Sequence, residues 1–245
     1  AGRPEVLLAL ELGGNNPVIT MPDADPKGAA NTLSFSAFIS SGQRCTCARR
    51  ALFVEGASTS QQIDELVNTT RKLRVGLPND QTAAHLGPLI SPAAAAKMEL
   101  TYNQLVQLGC RPILPWRSDH RSNCLVHPVI LEAVGMAESA RRKMAEMEWF
   151  GPLLVIERFS DFESACTASA ETPYGLSAAL LGGSVTLFER FVAQVGAGVV
   201  NWNGPTTGAA GALPFGGLGA SGNHRPAGFH AIDFCSDPIA SLQRT

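Results

Sequence analysis

A thiol and a carboxylate that together support acyl chemistry stand early in the sequence. Cys45 lies in the hexapeptide 42–47, Gly-Gln-Arg-Cys-Thr-Cys, directly after a stretch that can end a helix. Glu11 closes an apolar run that begins at residue 6. A thiolate can attack a carbonyl carbon, and a carboxylate can activate the water that releases the acyl group. We therefore take Cys45 as the candidate nucleophile and Glu11 as the candidate general base.

Each of these residues also has a structural interpretation. A lone thiol is often a buried packing residue, and a carboxylate at a strand end often binds loop amides. Cys47, two positions after Cys45, is interpreted as a packing residue or as a sulfur that traps oxidised Cys45. If Glu11 is the base, we expect apolar surroundings to raise its pKa.

Composition restricts the class of protein. Hydrophobic residues make up 45% of the 245 residues and charged residues 16%, so a sizeable core is expected and disorder is not. A net charge of -2, with 19 basic and 21 acidic residues, predicts no nucleic-acid or membrane partner. Six cysteines in so long a chain favour reduced thiols in a cytoplasmic protein. No second Cys or His pair has ligand spacing, so we expect no metal.

Apolar runs that resemble strands alternate with amphipathic segments that resemble helices. Strands are expected over 6–11, 51–54, 111–114, 125–131, 153–156, 176–181, 198–201 and 239–242. Helices are expected over 23–41, 60–74, 93–108, 161–170 and 184–195. This alternation predicts an α/β fold with a mostly parallel, twisted sheet flanked by helices. The Gly-rich stretch 204–222 is expected to be a long, close-packed loop.

Four segments together resemble the aldehyde dehydrogenase superfamily. They are Glu-Leu-Gly-Gly at 11–14, Gly-Gln-Arg-Cys at 42–45, Glu-Trp-Phe-Gly-Pro at 148–152 and Pro-Phe-Gly-Gly at 214–217. Family members are longer, so the chain resembles their C-terminal half. The resemblance implies a thiol-bearing catalytic domain over 14–220. It makes residues 1–13 the last strand of a cofactor-binding domain that this chain lacks, and 221–245 a tail with an oligomerisation strand.

The resemblance also implies roles for individual residues. It implies NAD as cofactor and a reaction through a thiohemiacetal and a thioester on Cys45. Glu148 and Phe150 match positions that hold the nicotinamide ribose and ring, with Gly13 beside them. Taken alone, Glu148 is better interpreted as a surface charge near the basic run 141–143, and Phe150 as a core residue before a strand. No GxGxxG phosphate loop is present, so the rest of the nucleotide is assigned to the missing half.

Finer features resemble a family member that oxidises N-succinylglutamate 5-semialdehyde in arginine catabolism. They are Asn15, the stretch 219–226 and the ending 238–242. That substrate carries two carboxylates, which require cationic partners. Arg44 and Arg225 are the candidate partners, although Arg225 is equally a donor that anchors a loop.

Several further expectations follow. Phe215 is expected to line the aldehyde channel, and Arg49 and Arg50 to lie on a solvated strand edge. Family members associate through a C-terminal strand, which implies a homodimer or homotetramer. Oxidation of glutamate semialdehyde remains an alternative activity. A further alternative is an inactive fragment that serves only as a structural or oligomerisation module.

Overall fold

The computed structural model describes residues 6–244, in which a central sheet is covered by helices. The described strands are β1 (Asn16–Thr20), β2 (Ala48–Val54), β3 (Arg111–Leu114), β4 (Ser118–Asp119), β5 (Ser122–Val126), β6 (Val129–Glu132), β7 (Leu153–Phe159), β8 (Tyr174–Gly175), β9 (Ser177–Leu181), β10 (Val199–Trp202) and β11 (Leu218–Gly219). Seven of them form the central sheet in the order β10-β9-β1-β2-β7-β6-β3. Neighbouring strands in this sheet are parallel except for the edge pair β3 and β6, which is antiparallel. The expected mostly parallel α/β architecture is confirmed.

The helices begin at local capping signals. They are α1 (Pro26–Phe38), α2 (Thr59–Arg71), α3 (Pro92–Gln107), α4 (Glu138–Ala145), α5 (Phe162–Ala170), α6 (Val185–Val195) and α7 (Ala231–Cys235). Asp25 accepts from the Gly28 N–H, Ser91 from the Ala94 N–H, Asp161 from the Ser164 N–H and Ser184 from the Leu187 N–H. Four of the described helices, α1, α3, α5 and α6, therefore carry a side-chain N-cap. No helix among residues 6–244 is long and apolar enough to cross a membrane.

Alternate residues of the central strands pack into different layers of helices. Val18 of β1 packs with α1 and α2 on one face, while Ile19 packs with α5 and α6 on the other. A further cluster beneath α3 and α4 contains Val155 of β7. Because side chains alternate across a strand, this division shows a sheet that is buried on both faces.

Three expectations for the strands are wrong. Residues 6–10 form no strand, and Glu11 makes a single bridge to Gly222. The range 125–131 splits into β5 and β6 at His127 and Pro128. Residues 237–244 have no regular structure, and Ile239 and Leu242 are 92% and 101% exposed. Both terminal runs are apolar enough for strands, but within the described part of the chain neither pairs with an edge of the central sheet.

Arg49 and Arg50 do not lie on a solvated edge. β2 is a central strand between β1 and β7, so both side chains are fully buried. Arg50 Nε lies 2.6 Å from Glu157 Oε1 on the neighbouring strand β7, which gives its charge a partner.

Candidate active site

Cys45 stands on a strained turn between α1 and β2, residues 40–47, which we call the thiol turn. After α1, Ser40, Ser41 and Gly42 have φ values of 53°, 57° and 70°. Left-handed backbone costs a non-glycine residue about 1–2 kcal/mol, and such strain is often found at functional sites. At Gly42 the conformation also requires glycine, because a Cβ there would lie 2.1 Å from the Gly151 carbonyl oxygen.

The buried Asn16 side chain fixes the far end of the thiol turn. Its Nδ2 donates to the Cys45 and Cys47 carbonyl oxygens at 2.7 and 2.8 Å. Its Oδ1 accepts from the Ser177 N–H at 3.1 Å. These three bonds join the turn to the starts of β1 and β9. The candidate site therefore lies at the amino ends of the central strands.

The Cys45 thiol is half-buried, and its surroundings affect its ionisation in opposite directions. Burial raises the pKa of the Cys45 thiol, and the negative charge of Glu11 raises it further. The backbone N–H groups of Thr46 and of Cys45 itself act against this by hydrogen bonding to the sulfur. A half-buried thiol on a strained turn differs from the fully buried structural cysteine that was the alternative interpretation.

Glu11 reaches the site from the other side, on a segment with few contacts. The Leu12 N–H donates to the Ser221 oxygen at 3.0 Å, and the Asn223 N–H to the Leu10 oxygen at 3.2 Å. A Cβ on Gly216 would lie 2.9 Å from Glu11 Oε1, which places the carboxylate beside that backbone.

The ionisation of Glu11 is shifted in the expected direction. Residue 11 as a whole is exposed, but nearby protein atoms partly desolvate the Glu11 carboxyl, which raises its pKa. The positive charge of Arg225 acts in the opposite direction. The expected raised pKa is therefore confirmed in its direction. Among residues 6–244, none donates a hydrogen bond to this carboxylate, so the alternative of a group tied to loop amides is not what the structure contains.

Glu148 lies against the backbone that follows Glu11. Its Oε1 accepts from the Gly14 N–H at 2.8 Å, and a Cβ on Gly13 would lie 1.5 Å from the same oxygen. Glycine at position 13 thus leaves the space that the carboxylate fills. In the described part of the chain Glu148 makes no ion pair with the basic run 141–143, so the surface-charge alternative is wrong.

Phe150 is not a core residue, because it is 42% exposed. The guanidinium carbon of Arg49 lies 5.4 Å from its ring centroid and covers one face of the ring. Phe150 therefore presents a partly exposed aromatic ring that is supported by Arg49.

The three candidate substrate residues differ in how they are held. Arg44 is exposed, and its Nε donates to Ser40 Oγ at 3.0 Å. Arg225 donates to the Gly217 carbonyl at 2.7 Å, which is the loop-anchoring contact that the sequence left open. Phe215 is partly exposed and forms an isolated bridge with Ala227. Of the three, the structure brings Arg225 and Phe215 to the loop that borders Glu11.

Sequence reasoning did not assign Asn16 or Arg49 to the site. Of the two interpretations of Cys47, a packing residue or a trap for oxidised Cys45, the structure fits packing. Cys47 is fully buried, and its thiol donates to the Ile39 carbonyl oxygen at 3.6 Å. For Asn16 a signal existed, since a buried strand that opens with an amide needs hydrogen-bond partners. No group of three or more His, Cys, Asp or Glu side chains within residues 6–244 is arranged to hold a metal ion.

The mostly parallel α/β fold on which Cys45, Glu11, Glu148 and Phe150 lie is that of aldehyde dehydrogenases. The chain matches the aldehyde dehydrogenase family model over residues 4–238. It therefore belongs to the aldehyde dehydrogenase family.

Curated relatives align with almost the whole of this chain. N-succinylglutamate 5-semialdehyde dehydrogenase of Hahella chejuensis is 43% identical over 242 residues, 99% of this chain and 48% of that protein. The protein of the same name from Chromobacterium violaceum is 42% identical over 243 residues, 99% of this chain and 49% of that protein. The resemblance inferred from the finer sequence features is confirmed. The chain spans about half the length of the curated relatives it matches.

Solved structures agree with the fold. Lactaldehyde dehydrogenase from Escherichia coli superposes with a TM-score of 0.84 at 26% identity, covering 91% of this chain and 46% of that one. Glyceraldehyde-3-phosphate dehydrogenase GapN from Methanocaldococcus jannaschii, complexed with NADP, superposes with a TM-score of 0.78 at 31% identity. That match covers 88% of this chain and 45% of GapN.

Proposed function

We propose that this chain carries the thiol-bearing catalytic part of an NAD-dependent dehydrogenase that oxidises N-succinylglutamate 5-semialdehyde to N-succinylglutamate. The observation that supports this most is the match to the aldehyde dehydrogenase family model over residues 4–238, which includes both Cys45 and Glu11. After burial, the Glu11 charge is the next cause that raises the pKa of the Cys45 thiol, so the two groups interact. A nucleophile and a base that interact can act in turn on one carbon atom. The choice of substrate rests on the names of the curated relatives.

The reaction begins at Cys45. Its thiolate adds to the aldehyde carbon, so a C–S bond forms while the carbonyl π electrons move to oxygen and give a tetrahedral thiohemiacetal. The Cys45 backbone N–H, which hydrogen-bonds toward the sulfur, is one donor for this oxyanion. When bound, NAD supplies the acceptor for the hydride that leaves the same carbon. A thioester to Cys45 then remains.

Glu11 completes the cycle by taking a proton from water. The oxygen of that water adds to the thioester carbon, the C–S bond breaks, and the Cys45 thiolate leaves as the carboxylic acid forms. A carboxyl whose pKa is raised by burial accepts a proton more readily near neutral pH. The raised pKa therefore suits Glu11 to the role of general base.

The residues present fit the nicotinamide end of the cofactor. Glu148 Oε1 accepts a hydrogen bond from the Gly14 N–H, and none of the described residues donates to Oε2. Oε2 can therefore accept hydrogen bonds from the ribose hydroxyls. Phe150 has one face on Arg49 and is otherwise exposed, so a planar ring can stack on it. Gly13 contributes by the absence of a side chain, because a Cβ there would displace the Glu148 carboxylate.

The substrate carboxylates are assigned to cations near the site. Arg44 is exposed on the thiol turn and has donors left for an anion. Arg225 Nη1 donates a hydrogen bond to the Gly217 carbonyl oxygen, and the positive charge of Arg225 acts on the Glu11 carboxylate. Phe215 is partly exposed beside the same loop and is assigned to the aldehyde channel.

We further propose residues 14–220 as the catalytic domain, 1–13 as the end of the cofactor-binding domain, and 221–245 as the tail that mediates a homodimer or homotetramer. The exposure of Ile239 and Leu242 supports an intermolecular role for the tail, since an apolar run without a partner favours association. All six cysteines are unbridged, which supports a reducing, cytoplasmic location.

Steady-state assays of the protein that carries this sequence, at its natural length, test the proposal. Cys45→Ser should lower kcat with NAD and N-succinylglutamate 5-semialdehyde by at least about a thousandfold. Cys47→Ser is the matched control and should keep most of the activity, because that thiol is fully buried and cannot reach a substrate in solvent. Undiminished turnover by Cys45→Ser would refute the mechanism. Faster turnover of glutamate semialdehyde would refute the substrate alone.

A further inference from the structure

Arg49 is a buried cation without a carboxylate partner in the described part of the chain. Arg50, the next residue, is equally buried but pairs with Glu157 at 2.6 Å. No carboxylate among residues 6–244 lies within ion-pair distance of the Arg49 guanidinium. A buried charge is costly unless it is compensated, so its position requires a reason.

The contacts of Arg49 all lead to the thiol turn and to the Phe150 ring. Its Nη1 donates to the Gly42 carbonyl and its Nη2 to the Arg44 carbonyl, both at 3.0 Å. Its Nε has no hydrogen-bond partner among the described residues. The planar group lies 5.4 Å from the Phe150 ring centroid. One side chain therefore fixes the backbone just before Cys45 and supports the aromatic surface assigned to the nicotinamide.

Two thiols and the Glu148 carboxylate lie close enough for their charges to act on this cation. Burial lowers the pKa of Arg49, and the charges of Cys47, Glu148 and Cys45 act in the opposite direction. Facing Cys45 are the Glu11 carboxylate, the Cys47 thiol and the Thr46 N–H. Arg44 is adjacent in sequence, but its Nε bonds Ser40. Glu11 opposes ionisation of Cys45, whereas the Cys45 charge favours the protonated, cationic form of Arg49.

We propose that Arg49 is a positioning residue, whose buried guanidinium holds the thiol turn against the Phe150 ring and favours the thiolate form of Cys45. This inference rests on the proposed role of Cys45 as nucleophile. In this proposal, the anion that compensates the buried charge of Arg49 is the Cys45 thiolate that forms during the reaction.

The test measures the pH dependence of alkylation of Cys45 by iodoacetamide, followed by mass spectrometry of its peptide. A Cys47→Ser background leaves one thiol in that peptide. Arg49→Met should raise the pH midpoint by about one unit and slow alkylation roughly tenfold below it. Arg49→Lys, which keeps the charge, should restore most of the shift. Arg49→Gln keeps one donor for the turn and replaces the Met variant if that variant does not fold.

The matched control is the double variant Arg50→Met/Glu157→Gln, which removes the neighbouring buried pair. It should change the unfolding midpoint but leave the alkylation midpoint unchanged. An unchanged alkylation midpoint in both neutral Arg49 variants, or an equal shift in the control, would overturn the inference. If Cys45→Ser is inactive and the Arg49 variants are unshifted, only this inference fails. If Cys45→Ser is active, the proposed function fails instead.

Discussion

The thiol turn and the segment that carries Glu11, residues 6–13, are supported very differently. The thiol turn is held by the buried side chains of Asn16 and Arg49 and by close contact with Gly151. The Glu11 segment has exposed apolar side chains, with Leu8 62% exposed, and is held by a few backbone bonds to residues 221–223. The described residues thus fix the proposed nucleophile, Cys45, through buried contacts, whereas the proposed base, Glu11, lies on a segment that exposes apolar side chains to solvent.

One glycine in each region offers the sharpest test of this contrast. Gly42 in the thiol turn and Gly222 opposite Glu11 both have positive φ, and a Cβ would lie 2.1 or 2.2 Å from a carbonyl oxygen. Gly42→Ala should lower the free energy of unfolding by about 3 kcal/mol, because Gly151 is buried and cannot move away. Gly222→Ala should cost only about 1 kcal/mol, because the Leu10 backbone can shift.

Urea denaturation followed by fluorescence of the buried Trp149 measures both losses. Equal destabilisation by the two alanines would show that the Glu11 segment is as rigid as the thiol turn. That outcome would remove the contrast.

Two asparagines, one beside each region, test the same comparison with a smaller expected loss of stability. Asn16→Ala leaves two carbonyls and one N–H without partners in a buried position, and should cost about 2 kcal/mol. Asn223→Ala removes an exposed acceptor for the Leu10 N–H and should cost less than about 1 kcal/mol. The difference between their urea midpoints is the measurement. A larger loss for Asn223→Ala would contradict the assignment of rigidity to the thiol turn.

The parts of the fold that follow from the sequence are those with local signals. Asp25 with Pro26, Ser91 with Pro92, and Ser184 mark helix starts that need no knowledge of distant residues. The pairing of Cys45 with Glu11 was inferred from motif order. The sequence separation between Glu11 and its neighbours at 216–225 hides the contacts that hold it.

The burial of Arg49 shows what the sequence alone does not determine. Two adjacent arginines in an apolar run indicate a solvated edge, and only the position of β2 between β1 and β7 makes them buried. Likewise the runs 6–10 and 239–242 have strand composition, but strand formation requires a neighbour. Such neighbours are a property of tertiary structure and not of local propensity.

The smallest expected effect tests the electrostatic link between the two regions. The Glu11 charge raises the pKa of the Cys45 thiol, so Glu11→Gln should lower that pKa. At a fixed pH below the midpoint the thiolate fraction then increases, and alkylation of Cys45 should become about two- to threefold faster. Above the midpoint the rates should converge, because the thiol is ionised in both proteins.

Glu138→Gln is the control for the change in net charge, since it removes an exposed carboxylate that pairs with Arg142 on α4. It should leave the alkylation profile of Cys45 unchanged. The same acceleration in both variants would mean that overall charge, and not the local contact, governs the thiol. No acceleration in Glu11→Gln would mean that the Glu11 segment does not hold its carboxylate near Cys45 in solution. The base would then reach the thioester only after a further layer of protein had fixed the segment.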